Sequence, residues 1–227
     1  MCRRFEIKFE KEFIKFPERV VKLIFANRKQ LTKLIGVSDF IAEIRRAPVK
    51  TSFFTELEGQ EQQEWVHDLL ERTTFDIGNV AICVLDTGIN YAHPLLSQAI
   101  EKNGVQALKP TWDISDENGH GTSVAGIALY DDLRKSIASS DPIVIHHGVE
   151  SVKILNEKEP NAPKLYGDVT SDAINLAEIE NSQKHRIICM AVSCQDFNTD
   201  DGSPTSWSAE LDQIISGARD NDIHRLF

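Results

Sequence analysis

Several features are scarce in this 227-residue chain, and each scarcity narrows what the protein can be. Basic residues are outnumbered: 25 Lys and Arg against 35 Asp and Glu give a formal charge of −10. Such a surface repels phosphate backbones, so nucleic acid is not an expected partner. No apolar run approaches the roughly 18 residues of a membrane span, so no membrane association is expected. The N-terminus, "MCRRFEIKFEKEF", has early basic residues but no apolar core that would make it a signal peptide. The four cysteines, Cys2, Cys83, Cys189 and Cys194, show no CxxC spacing. Cys83 and Cys189 lie inside apolar runs and read as packed thiols. Together these features point to a reducing, cytoplasmic setting. No repeat or low-complexity segment is visible. What remains, 41% hydrophobic and 26% charged residues, is the balance of a soluble globular protein of one large domain or two small ones.

The chain has two textures. Up to about Thr74 it is charged, with short amphipathic segments. "RVVKLIF" (Arg19 to Phe25) reads as a strand, the following segment with Leu31, Leu34 and Ile35 as a helix ending near Gly36, and "FIAEIRRA" (Phe40 to Ala47) as a second strand. That predicts a small β-α-β region. "GQEQQEWVHDLLERT" (Gly59 to Thr73) reads as a helix with Trp65, Leu69 and Leu70 on one side. From Asn79 onward, apolar strands alternate with helices. The strands are Val80 to Asp86, Ser151 to Leu155 and His185 to Ser193; the helices start near His120, at Val169 (capped by Thr170 or Ser171) and at Ser206. The alternation predicts an α/β fold with a parallel sheet flanked by helices.

Chemistry concentrates at two places. "AICVLDTGIN" ends a buried strand with Asp86, where open α/β sheets place their ligand crevices. Taken alone, Asp-Thr-Gly is also a common turn composition. It is the aspartic-peptidase motif as well, but a single-chain enzyme of that kind needs a second copy, which is absent here. Thirty-four residues on, "DENGHGTSVAG" sets His120 between two glycines at the mouth of a helix of small residues. An imidazole there can act as a base if a carboxylate orients it. His67, His93, His146 and His147 lack such context and read as structural or surface residues.

A strand ending in D-T-G, a His-Pro at His93 and Pro94, and then G-H-G-T-S-V-A-G resemble the subtilisin-like serine peptidases, in that family's order of Asp before His. The resemblance covers about Asn79 to Phe227. It implies a subtilisin-like sheet, peptide-bond hydrolysis of a polypeptide substrate, and Asp86 and His120 as members of the catalytic triad. It makes Ala191, Val192 and Ser193 the strand edge that pairs with substrate, although the family usually shows Ser-Leu-Gly there. It divides the chain into an N-terminal region at 1–75, resembling part of a prodomain, in which Gly59 to Thr73 could equally be a linker helix packed on the catalytic domain, and the N-terminal part of a peptidase domain at 76–227. Glycines 119 and 121 would leave room for a substrate backbone.

The family's later motifs, the oxyanion Asn and the G-T-S-M-A-x-P segment with the nucleophilic Ser, are not within these 227 residues. The only Gly-Thr-Ser is Gly121 to Ser123, inside the His motif. Ser123, one helical turn from His120, is poorly placed for attack. The expectation is a chain inactive alone that needs a complementary C-terminal peptidase fragment, or, alternatively, a non-catalytic peptide- or partner-binding fragment. The family often binds calcium, but the acidic loop Gln195 to Ser203 lacks the spacing of a calcium loop. No cofactor and no metal site are expected.

Overall fold

The computed structural model describes residues 2–47, 54–162, 165–193, 203–218 and 223–227, so Cys194 and the acidic loop at 195–202 lie outside the described residues. The chain forms two compact units, Met1–Phe53 and Phe54–Phe227.

The first unit carries four two-residue strands, β1 (Lys8–Phe9), β2 (Ile14–Lys15), β3 (Val20–Val21) and β4 (Ile24–Phe25), then helix α1 (Arg28–Gly36). Strand β1 pairs with β4 and β2 with β3, both antiparallel. The predicted strand Arg19 to Phe25 is therefore two strands serving different partners. Helix α1 starts on a reciprocal cap between Asn27 and Gln30. Phe40 to Ala47 forms no strand, and Phe40 is 94% exposed. The order is thus four short strands and a helix, not β-α-β. An alternating pattern needs a neighbouring strand to become a ladder, and 40–47 finds none among the described residues.

The second unit begins with α2 (Gly59–Glu71), whose Leu69 is fully buried in the core of that unit. Helix α2 therefore packs as part of the second unit. Further elements are strands β5 (Thr73–Phe75), β6 (Val80–Asp86), β7 (Val105–Ala107), β8 (Ile143–Ile145), β9 (Gly148–Lys153) and β10 (His185–Cys189). The helices are α3 (His120–Tyr130), α4 (Leu133–Ile137), α5 (Tyr166–Glu180) and α6 (Ser206–Ser216). The main sheet is parallel, in the order β10-β6-β9-β7, and β5 pairs with β8 in a separate parallel ribbon.

Period-two alternation assigns the faces of β6. Val84 packs with Leu69 of α2 and Ala125 and Leu129 of α3. Cys83 and Leu85 pack with Ala173, Ile174 and Ala177 of α5 and Ile214 of α6. Asp86 has the parity of Val84, so it faces the α3 layer.

Three element boundaries differ from the sequence reading. Strand β9 starts at Gly148, because its polar-looking "GVESVK" is buried throughout. Glu150 is met there by Arg186, and the Lys153 ammonium donates to Ser115 O at 2.8 Å. Helix α5 starts at Tyr166 with no side-chain cap, and Thr170 lies inside it, its hydroxyl donating to Tyr166 O. Strand β10 stops at Cys189, so Met190 to Ser193 leave the sheet. The outer edge of β10 is not bare: Leu226 forms a parallel bridge to Ile187 and accepts from Ile188 N at 2.8 Å. Arg225 supports that segment through a two-pronged pair with Glu178, at 2.7 and 2.9 Å. Among the described residues, no helix is long and apolar enough to cross a membrane.

Candidate active site

Strand β6 delivers Asp86, fully buried, to its carboxyl end, and α3 begins with His120. The two elements touch because two positions lack a side chain. A Cβ on Gly121 would stand 2.2 Å from Gly88 O and 3.2 Å from the Asp86 Cβ. Gly88 has φ +97°, and a Cβ there would stand 2.6 Å from Ile114 O. Gly121 is thus required by the strand–helix approach itself rather than by space for a substrate.

Across that contact the His120 Nδ1 and Asp86 Oδ1 lie 2.8 Å apart. Asp86 Oδ1 also accepts from Thr87 N at 2.7 Å. Asp86 Oδ2 is buried with no hydrogen-bond partner among the described residues. The imidazole is half exposed, with 52% of the side chain accessible, so one edge is held and the rest faces solvent. The hydrogen bond to Asp86 and then the Asp86 charge hold the imidazole pKa above its ordinary value, against the opposing effect of burial and with a lesser contribution from the charge of Asp116. With Nδ1–H committed to the carboxylate, Nε2 is the ring nitrogen left to accept a proton.

The structure adds residues that the motif reading passed over. Asp116, 6% exposed, accepts from Thr87 Oγ1 (2.9 Å), Gly119 N (2.9 Å), Thr122 N (2.8 Å) and Thr122 Oγ1 (2.6 Å). Burial pushes the Asp116 pKa up, but these bonds, led by those from Thr122, outweigh it and leave the group below the ordinary carboxylate value. The sequence signal was present: an aspartate four before His120 and a threonine two after it.

Of the predicted substrate-binding residues, Val192 and Ser193 line a cavity of about 310 Å³ that also takes in Thr87 and Asn118 beside the Asp86–His120 pair. Ala191 is exposed and outside that lining. The apolar wall is Leu155, Tyr166, Val169 and Trp207. Trp207 is fixed by its Nε1 donating to Thr170 Oγ1 at 3.0 Å and by the Tyr166 ring, 5.3 Å between centroids. Ser123 Oγ donates to Gly119 O at 2.8 Å. Among the described residues, no serine hydroxyl hydrogen-bonds the imidazole, and no group of three or more His, Cys, Asp or Glu side chains could hold a metal ion.

The site is thus a carboxylate–imidazole pair at the carboxyl end of a central strand of a parallel α/β sheet, with a cavity beside it. Residues 78–227, about two thirds of the chain, match the model of the Subtilase family, and the chain belongs to that family of subtilisin-like peptidases.

Proposed function

We propose that this chain carries the acid–base half of a serine-type endopeptidase. The single observation that supports this most is the 2.8 Å contact between His120 Nδ1 and Asp86 Oδ1, within the family's motifs. In this reading Asp86 fixes the tautomer of His120 and stabilises the imidazolium, and His120 Nε2 takes the proton of the attacking serine and returns it to the leaving amine. An extended polypeptide lies against Ala191 to Ser193, whose backbone has left the sheet, in the manner of an added strand. A large apolar side chain of that polypeptide enters the cavity lined by Leu155, Val192, Tyr166 and Trp207. The serine nucleophile and the oxyanion donor come from polypeptide outside residues 1–227, because the only Gly-Thr-Ser here carries a Ser123 hydroxyl bonded to Gly119 O.

The test is complementation. The 227-residue chain is mixed with a polypeptide supplying the oxyanion Asn and the Gly-Thr-Ser segment, and cleavage of a quenched fluorescent peptide is followed. Cleavage that needs both components and is lost in His120→Ala supports the reading. Robust cleavage by the 227-residue chain alone would show that the nucleophile lies within it. No cleavage, with tight binding of apolar peptides that Trp207→Ala weakens, would favour a peptide-binding role instead.

A further inference from the structure

We propose that Asp116 is a positioning residue for the His120–Asp86 pair, acting from behind by holding the end of β6 and the first turn of α3 in one register. The proposal rests on reading that pair as the acid–base centre, but the residue itself is assigned from its bonds.

The cap position before helix α3 is Gly119, which has φ +84° and no side chain with which to cap the helix. The free amides of the first turn must therefore find an acceptor elsewhere. Asp116 supplies it. Its Oδ1 accepts Gly119 N at 2.9 Å and Asn118 N at 3.3 Å, and its Oδ2 accepts Thr122 N at 2.8 Å and Thr122 Oγ1 at 2.6 Å. The same carboxylate reaches the strand side. Thr87 Oγ1 lies 2.9 Å from Asp116 Oδ1 and 3.1 Å from Asp86 Oδ1. A hydroxyl has one proton, so it satisfies one carboxylate at a time.

Asp86 Oδ1 already has the Thr87 amide and the imidazole, so the hydroxyl proton given to Asp116 leaves Asp86 committed to His120. The bond network then closes on itself. Thr87 Oγ1 accepts Gly121 N at 3.1 Å, and Thr122 Oγ1 accepts Asn90 N at 3.0 Å. Two residues after the strand and three at the helix start are thus tied to one buried carboxylate. His120 sits between the tied positions, and its own amide donates to Asn118 Oδ1 at 2.9 Å.

The other charges around this pair are few. From the loop before α3 come Asp113, Asp116 and Glu117, the last paired with Lys158 at 2.9 Å. From β9 comes the Lys153 ammonium, held by Ser115 O. From β10 comes the Cys189 thiol, within electrostatic range of Asp86. None of these is bonded to both the strand and the helix as Asp116 is.

The experiment follows the His120 imidazole resonance of the isotope-labelled 227-residue chain from about pH 4 to 9 by NMR, with thermal unfolding measured in parallel. Asp116→Asn is expected to lower the midpoint by about half a pH unit or more, from lost charge and lost positioning together. Thr122→Val keeps the Asp116 charge and the Thr122 amide bond but removes both hydroxyl bonds, to Asp116 and from Asn90 N, so it should lower the midpoint less, and Thr122→Ser should leave it unchanged. A melting temperature that falls while the midpoint stays fixed in both Asp116→Asn and Thr122→Val would overturn the proposal, because it would make Asp116 purely structural. If Asp116→Asn fails to fold, the Thr122 pair still decides. Asp86→Asn is the reference: if it too leaves the midpoint unmoved, the pair reading itself fails, and that outcome is distinct from a failure of the role of Asp116.

Discussion

Arg186 and Glu150 form an ion pair inside the second unit, their side chains only 7% and 5% exposed. Arg186 Nε donates to Glu150 Oε2 at 2.6 Å and Nη2 to Oε1 at 3.1 Å. The guanidinium also donates to Ala177 O at 2.8 Å and Asn181 O at 2.6 Å at the end of α5, while Asn181 Nδ2 donates to Glu150 Oε1 at 2.9 Å. One cluster therefore locks β9, β10 and α5 together. Arg186→Met leaves a buried carboxylate with a single donor, and the cost of breaking such a pair is about 3–5 kcal/mol. Against a typical domain stability of about 5–15 kcal/mol that is a large fraction. At about 2–4 °C per kcal/mol for a unit of this size, melting should fall by about 6–20 °C. Replacing both residues, Glu150→Met with Arg186→Met, removes the stranded charge; Ala177 O keeps the Asn181 amide at 3.2 Å and Asn181 O keeps the Lys184 amide at 3.1 Å, so Asn181 Nδ2 is the one polar atom of the cluster that loses its partner. Leaving that one donor unpaired costs about 1–3 kcal/mol, so the double variant should recover much of the stability but not all of it. Urea and thermal denaturation of the four proteins, monitored by circular dichroism, give the cycle. An Arg186→Met protein within about 1 kcal/mol of the parent would refute the reasoning, as would a double variant less stable than either single one.

Three further outcomes follow from the structure. Gly121→Ala drives a methyl group against Gly88 O, a backbone atom that cannot swing aside, so it should cost at least the roughly 3 kcal/mol upper end of ordinary overpacking; a soluble, cooperatively melting variant near parental stability would contradict this. The His120 pKa is raised in the fold by Asp86, so the pair's contribution to stability is full below the unfolded imidazole value of about 6.5 and is lost as pH rises through the raised value. The melting difference between the parent and His120→Gln should shrink across that window, and a difference that grows with rising pH would reverse the sign. The Cys83 thiol is buried in the sheet and pushed up to about 12, first by desolvation and then by the charge of Glu150. It should resist a thiol reagent at about pH 8 until urea unfolds the chain, which absorbance of the released thiolate reports.

The sequence made the centre of the second unit legible, and the reasons are local. "VAICVLD" could be little but a buried strand, and Asp86 and His120 stand in motifs whose resemblance to the subtilisin-like peptidases implies contact. The edges were harder. Strand β9 begins three residues before the apolar pattern does, because Glu150 looks exposed until its partner, Arg186, is seen across the fold. Thr170 looked like a cap because a hydroxyl near a helix start usually is one; here it serves Trp207, 37 residues away. Phe40 to Ala47 alternated without a neighbour to pair with. Asp116 was passed over because a loop aspartate announces nothing until its five acceptor contacts are counted in space.

The order of strands across the sheet also sets a timetable for synthesis. Strand β6, which carries Asp86, has neither chain neighbour as its partner: it lies between β9, at residues 148–153, and β10, at 185–189. A ribosome that has just finished the Asp and His motifs has therefore made Asp86 and His120 but no flanking strand to fix the one that holds the carboxylate. Long-range parallel pairing is slow, since the loop between partners must be closed before the ladder repays it. The nascent chain exposes the apolar face of β6 while some sixty further residues emerge, the interval in which a holding chaperone would find its target.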